Sequence, residues 1–568
     1  MFWSTIHASA QELMVKSGEV GRYGGRLVVA ERTEPKTLNP VTALDLASRD
    51  VIRRMNADLI HINCKTQRAE PALARSWTAS ADGRRYTLVL RRGIRFSDGH
   101  PLTADDVLFS FKVYLDKKVH APQRDLLMVG RKPIHVTEIG QSTVQFDLAQ
   151  PDAAADRIFD SIAILPRHLL EKAYQQGKLS TAWNLRTPPS QIAGLGAFRL
   201  KAYVPGERLV LGRNPYYWKE DMKGNRLPYL DEIDFLFAGS QDVQAMRFEA
   251  GETDVISGLS PQNFAALEPQ QQARSFRLYD LGPGLEYDFL FFNLNSLPSG
   301  APPEVLQGQR WFRQVRFRQA ISAAVDRAAI VRLVYQDRAT ALWSNVTPGN
   351  KRWMNSSLPK PSYSLSRARS LLQSAGFRWD KQGDLRDVHS NAVRFSIITS
   401  AGDPLQTQIA TILQNDLAHL GMDVQVVPLD FHAVLDRVFR TYDYSGCLLG
   451  LVSGDTDPNP EMNVWLSSGR MHLWNLTERR PQTPWEAEID RLMRKQAVTL
   501  NFQVRKLLYD NVQSLIQQYL PVICIVSPDL LVGSKTDLGN FNPAVLCDHT
   551  LWNADQLFWR GGQRLRTQ

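Results

Sequence analysis

Residues able to do chemistry are present in this chain, but not at the spacings that the familiar chemistries need. Eleven histidines are scattered along it, and no two stand at the i, i+4 interval that sets a pair of imidazoles on one helical face for a metal. The four cysteines, Cys64, Cys447, Cys524 and Cys547, lie far apart, with no Cys-x-x-Cys and no Cys/His cluster at zinc spacing. They allow three disulfide pairings in an oxidising compartment, whereas Cys524, inside the apolar run 521–526, reads as a buried thiol. Neither a GxxxxGK[ST] phosphate loop nor HExxH, GxSxG or GxGxxG occurs, and Gly194-Leu195-Gly196 lacks the third glycine and precedes a predicted strand. No catalytic residue, metal ligand or cofactor is therefore assigned, and the expectation is a protein that binds rather than converts.

The elements that must carry such a function need more than one core. At 568 residues the chain exceeds what a single hydrophobic core supports, so about two to four domains are expected. Charge excludes a second class: 67 Lys plus Arg against 58 Asp plus Glu gives +9, a mild bias over this length and not a nucleic-acid footprint. The densest basic cluster, Arg84, Arg85, Arg91, Arg92 and Arg95, alternates with Tyr86, Leu88, Leu90, Ile94 and Phe96. That period of two is the solvated face of a hairpin over 86–96. No stretch approaches the roughly 18 apolar residues of a membrane span. Ala8-Ser9-Ala10, followed by Gln11, matches the small-x-small end of a secretory signal without the basic and apolar regions that precede one, so residues 1–23 read as an amino-terminal segment holding the remnant of a signal peptide.

Periodicity predicts a strand over 26–30 and a helix with Val51, Ile52, Met55 and Leu59 on one face. A second helix enters at Thr103, with Asp106 at the third position where a capping box usually has Glu or Gln. Pro188 and Pro189 mark a crossing near 188. Strands over 197–204 and 208–213 turn at Pro205-Gly206, and a strand, helix and strand follow over 233–256 with Gly251 as the stop. After a strand over 287–293 comes a long helical region over 315–335. The unit from 393 reads most clearly: strand 394–399, amphipathic helix 405–420 ended by Gly421, strand 423–428, a βαβ crossover. The last long helix covers 502–519, with a strand over 522–526 behind it and a tail in which Trp552, Phe558 and Trp559 pack on the body.

One stretch, 77–107, is more specific. Its Asp82-Gly83 turn, Tyr86, Leu90, Gly93, Phe96, Asp98-Gly99 turn, Pro101 and Thr103-Ala104-Asp105-Asp106-Val107 closely resemble the signature of the family 5 extracellular solute-binding proteins, the oligopeptide, dipeptide and nickel binding group. Glu34 to Pro40, Asn214-Pro215-Tyr216-Tyr217-Trp218, Gly251-Glu252-Thr253-Asp254, Phe292-Asn293-Leu294-Asn295 and Asp326-Arg327 keep the family's order over roughly 24–535. Departures are Gly194-Leu195-Gly196-Ala197-Phe198 where many members have Gly-Thr-Gly-Pro-Tyr, and Gln314 where Asp is usual. The resemblance implies an α/β fold of the periplasmic-binding-protein type II, with two lobes that close by a hinge. Its parts would be 24–59, 189–283 and 510–568 in the first lobe, an extra domain of that lobe at 60–188, and a second lobe at 284–509. It further implies a monomeric, periplasmic capture subunit of an ABC importer, peripheral to the membrane, whose partners are a peptide or other small solute and the permease. Oligosaccharides, opines and metal chelates stay open as alternative ligands, and an enzyme with a spatially assembled site stays open as a weaker one.

In peptide-binding members an aspartate in a glycine-rich stretch takes the ligand's ammonium. The matching stretch here is 450–460, which assigns Asp455 first, Asp457 second, and Gly454 beside them for main-chain contact. Both aspartates also suit an Asx turn ahead of Pro458 and Pro460. Glu34 stands at the position of a cleft glutamate, and equally suits a solvated loop. Tyr287 and Phe289 offer aromatic walls, or core, by alternation along their strand.

Overall fold

The computed structural model describes residues 11–297, 301–453, 455–546 and 548–561; Ala8-Ser9-Ala10, Gly454 and Cys547 lie outside them. The chain forms two units. One holds the residues up to Tyr279 and those from Leu531 onward, the other Asp280–Leu530.

In the first unit alternation builds two main sheets. The strand Arg85–Leu90 buries Tyr86, Leu88 and Leu90 while Arg84 and Arg85 face water, as a period of two requires. Its hairpin partner is Ala74–Ala79, across the turn at Asp82-Gly83, and not the residues up to Phe96. Beyond Leu90 the chain bends at Gly93 (φ +73°), leaving only an isolated bridge between Arg95 and Pro101. Thr143–Asp147 and His135–Gly140 complete this four-stranded sheet. The other sheet runs Phe198–Val204, Arg208–Arg213, Glu232–Phe237, Arg26–Glu31, Val255–Ile256, and Gly533 and Ser534 of the strand Val522–Lys535 pair on its edge. The helix Ala104–Leu115 starts as expected: the Asp106 carboxylate accepts the Thr103 backbone N–H at 2.9 Å.

No unit boundary falls at 188. Leu27 and Val29, Leu88 and Phe146, and Phe558 and Trp559 share one core. Gly194 and Gly196 show how tightly the chain is packed after that point. A Cβ on Gly194 would stand 1.9 Å from the Met55 carbonyl oxygen, and one on Gly196 2.3 Å from that of Arg54, so neither site admits a side chain. The tail is bound by charge as well: Asp548 pairs with Arg53 at 2.8 Å and Arg54 at 2.9 Å.

The second unit centres on a sheet ordered Asp423–Leu429, Arg394–Ser400, Gly446–Val452, Glu286–Phe292 and the first part of Val522–Lys535, with Ala339–Ala341 also paired on that last strand. The expected crossover is present. Arg394–Ser400 and Asp423–Leu429 pair in parallel from Arg394–Asp423 to Ser400–Leu429, joined by the helix Pro404–Ala418. Gly421 turns at φ +77°, where a Cβ would meet the Gly383 carbonyl at 2.2 Å. The helical region 315–335 is two helices, Val315–Ala324 and Arg327–Tyr335, because Val325 is extended and Asp326 caps the second by accepting the Ala329 N–H at 2.9 Å. Helix Phe502–Tyr519 belongs wholly to this unit, although the sequence reading divides it at 509. Tyr509, Val512 and Ile516 on its buried face, and the strand residues Val522 to Val526 behind it, pack into the second core. Cys447 and Cys524 are buried thiols, and desolvation pushes both up, Cys524 to about 12. Among the described residues no helix is long and apolar enough to cross a membrane.

Candidate functional site

The strand Glu286–Phe292 is the scaffold of the site, because its two faces have different chemistry. It pairs antiparallel with Gly446–Val452, which sets Tyr287 opposite Leu451, Asp288 opposite Gly450 and Phe289 opposite Leu449. On one face Tyr287 and Phe289 pack ring against ring at 5.5 Å, each 2% exposed. Phe289 then lines a pocket of about 620 Å³ whose other walls include Phe431, Phe439, Leu449, Leu451 and Met471. Tyr287 is not part of that wall and sits in the core. The pocket's mouth carries Asp436 and Arg440, paired with each other at 2.9 Å.

The opposite face holds a carboxylate that sequence reasoning missed. Asp288 accepts from Tyr335 Oη at 2.8 Å and from Gln406 Nε2 at 3.2 Å. A Cβ at Gly450 would lie 3.0 Å from Gln406 Nε2 and 3.1 Å from Asp288 Oδ1, so glycine there leaves this junction its space. The signal was available: an aspartate interrupts the otherwise apolar and aromatic run Tyr287 to Phe292. Burial is the main cause that lifts the Asp288 carboxyl from an ordinary 3.8 to about 7. The folded pKa being the higher one, the stability this group contributes is full below the unfolded value and is lost as pH rises through about 7. The Asp288→Asn protein, whose amide can accept from Gln406 and donate to the Tyr335 hydroxyl, should therefore gain on the native protein between pH 5 and pH 8. Urea unfolding of both proteins at the two pH values checks this, and a pH-independent difference would contradict it.

From the end of Gly446–Val452 the chain enters the loop containing Asp455 and Asp457. Asp455 Oδ1 accepts the backbone N–H groups of Thr456 at 2.5 Å and Asp457 at 3.3 Å, the geometry of a side chain shaping its own turn. The Asp457 carboxylate is taken by Arg505: two N–H···O contacts of 2.7 Å each, with Asp457 4% and Arg505 3% exposed. Arg505 Nε also donates to the carbonyl and side-chain oxygens of Gln496, and its guanidinium lies 4.9 Å over the Trp353 ring. Asp457 is thus an internal anchor that fixes where Asp455 stands. Glu461 closes the loop, accepting from Trp465 Nε1 at 2.9 Å and Tyr509 Oη at 3.1 Å; burial pushes its carboxyl up.

The structure brings Asp455, Asp457, Tyr287 and Phe289 together in the second unit. Glu34 is in the first, where it accepts from the Tyr203 hydroxyl and from the Gly206 N–H, at 3.1 Å in the latter case, and so ties its loop to the Pro205-Gly206 turn.

A family model described as bacterial extracellular solute-binding proteins, family 5 Middle, matches residues 68–472. A probable ABC transporter-binding protein of Deinococcus radiodurans is 26% identical over 520 residues, 88% of this chain and 86% of that one. The oligopeptide-binding protein AppA of Bacillus subtilis is 24% identical, over 77% of this chain and 75% of its own length. Among solved structures, the ABC transporter substrate-binding protein CtaP of Listeria monocytogenes superposes with a TM-score of 0.77 at 22% identity, covering 95% of this chain and all of that one. The fold is accordingly that of the type II periplasmic binding proteins. With the signature turns, the crossover and the paired strands in place, and with the family model matching well over half of the sequence, this chain belongs to the bacterial extracellular solute-binding proteins of family 5.

Proposed function

We propose that the chain is the extracytoplasmic substrate-binding subunit of an ABC importer and that its ligands are oligopeptides, with Asp455 holding the ammonium end and Phe289 forming part of a side-chain pocket. The observation that carries the choice of ligand is the wall of the pocket in the second unit, built chiefly from Phe289, Phe431, Phe439, Leu449, Leu451 and Met471. Such a surface accepts apolar side chains, and the flexible thioether of Met471 lets it adapt to different ones. Polar side chains enter that lining only through His432, Asp436 and Arg440, a small share for a ligand as rich in hydroxyls as a sugar. The relatives named for ABC transport and for oligopeptide binding support the same reading. Energy for uptake would come from separate subunits, which agrees with the lack of a phosphate loop in this sequence.

Mass spectrometry of the ligand that co-purifies, followed by calorimetry with the peptides found, tests the proposal. Peptides with at least one apolar side chain should bind and return enzymatically and chemically unchanged. Recovery of only non-peptide solutes, none of them displaced by peptides, would overturn it.

A further inference from the structure

Residues 466–483 connect the helices Met462–Trp465 and Pro484–Ala497 without a helix or strand of their own. Even so, Ser467, His472, Asn475 and Glu478 along this segment are all buried. An irregular segment that takes so many polar groups out of water needs a specific internal tie.

At its centre, His472, Glu478 and Glu486 are 1%, 3% and 5% exposed, and one ligand-capable atom from each lies within 4.8 Å of the other two. The ring is set for ligation. His472 Nδ1 stands 3.1 Å from the Val464 carbonyl oxygen, and because a carbonyl only accepts, that nitrogen carries the hydrogen. In the neutral ring Nε2 then presents its lone pair. Nε2 is buried and makes no hydrogen bond; Glu478 Oε2 stands 3.5 Å away. Trp474 packs against the ring at 4.0 Å and holds its plane.

Both carboxylates are oriented from outside the cluster. Glu478 accepts from the Gln482 N–H at 2.7 Å and from Asn475 Nδ2 at 3.0 Å, and Glu486 accepts from Thr483 Oγ1 at 2.7 Å. These hydrogen bonds leave lone pairs on each carboxylate. A backbone carbonyl behind the histidine and fixed donors behind the acids are the outer-shell supports that metal ligands use.

Charge points the same way. Two carboxyl groups buried side by side raise the cost of each other's charge, which is heavy without a counter-charge. Arg318 is close enough for Glu486 to act on its charge and offsets part of that carboxylate's cost, while its N–H groups go to the carbonyls of Phe312, Tyr519 and Leu520. A cation held by all three groups would supply the remaining counter-charge.

We propose that His472 Nε2 and the carboxylates of Glu478 and Glu486 bind one first-row transition dication, of which Zn²⁺ is the best match. An imidazole nitrogen with two carboxylate oxygens suits such ions, whereas Ca²⁺ and Mg²⁺ prefer oxygen alone. Metal–ligand distances of about 2.0–2.2 Å require the three side chains to draw together by about an ångström. The ion would staple segment 466–483, and with it Met471 and Leu473, which flank His472 and line the apolar pocket.

The test uses the full chain without a histidine tag, stripped with EDTA, dialysed, and titrated with ZnCl₂ alone. Calorimetry should show about one equivalent bound, and zinc should raise the melting temperature by several degrees. Glu486→Gln keeps the shape and the Thr483 hydrogen bond but removes a charged ligand, and Glu478→Gln removes the other while keeping one of its two donors satisfied, since these reach different oxygens. Each should weaken zinc binding at least about 10-fold. His472→Gln is the more direct change, but it disturbs the packing on Trp474, so the two glutamate variants carry the decision. A folded native protein that takes up no zinc, or glutamate variants that bind it as the native chain does, would overturn the site and leave His472 and Glu478 as an ion pair.

Discussion

Asp457→Ala should destabilise the protein by about 3–5 kcal/mol, because it strands the Arg505 guanidinium in the interior. Arg505 is 3% exposed, and its partners Gln496 and Asn459 offer it only neutral side chains. Arg505→Met should cost a similar amount by leaving the carboxylate as the stranded charge. The double variant Asp457→Ala/Arg505→Met removes both charges together, so its loss should fall short of the sum by up to about 3 kcal/mol. Midpoints of urea unfolding for the four proteins give the cycle. Additive losses, or a loss below about 1 kcal/mol for either single change, would show that the pair does not hold the loop.

A second large effect is expected in binding rather than folding. Asp455→Asn should weaken a peptide with a free amino terminus by about 1 to 3 kcal/mol, roughly 5- to 150-fold in Kd. The melting temperature should hardly change. The Oδ1 contacts with the Thr456 and Asp457 N–H groups are of a kind that an asparagine oxygen also makes, so the turn survives while the charge is lost. An amino-acetylated peptide brings no ammonium, and its affinity should be nearly the same for both proteins. Calorimetry of two proteins with two peptides isolates the charge term. If the acetylated and free peptides lose equally, Asp455 acts only as a turn residue. The contrast with Asp457 is physical: two aspartates two residues apart, one committed to a buried arginine and one at a partly exposed turn, should separate stability from affinity.

How far the sequence reached depended on the range of the interaction that decides each feature. The crossover Arg394 to Leu429 was legible because its strands and helix are set by local periodicity and by Gly421. The break at Asp326 was not, since Val315 to Tyr335 keeps an unbroken helical pattern and the kink arises from one capping aspartate. Placing the hairpin at 86–96 followed the alternation correctly but chose the wrong partner strand, a non-local property. The sequence ranks Asp455 ahead of Asp457 but gives them the same kind of role; Arg505, which separates their roles, lies 48 residues from Asp457. The cluster of His472, Glu478 and Glu486 follows no helical ligand spacing, because an irregular loop brings it together, so a search by spacing passes over it. Phe431 and Phe439, two walls of the pocket, fall in a short helix and the π-helical turn after it, which no periodic pattern announces.

The position of Asp280–Leu530 inside the chain also sets a timetable. Every residue of that unit is made, and emerges, ahead of Leu531, so its core can consolidate as a contiguous piece. The other unit must wait. Its sheet takes its edge partner from Gly533 and Ser534, and its core takes Leu538, Leu557, Phe558 and Trp559. Arg54, itself buried, pairs there with Asp548. A chain shortened by its last thirty or so residues would lose no part of the site around Asp455, yet it would leave the amino-terminal unit with an open core; for this protein the final stretch of synthesis is what completes the beginning.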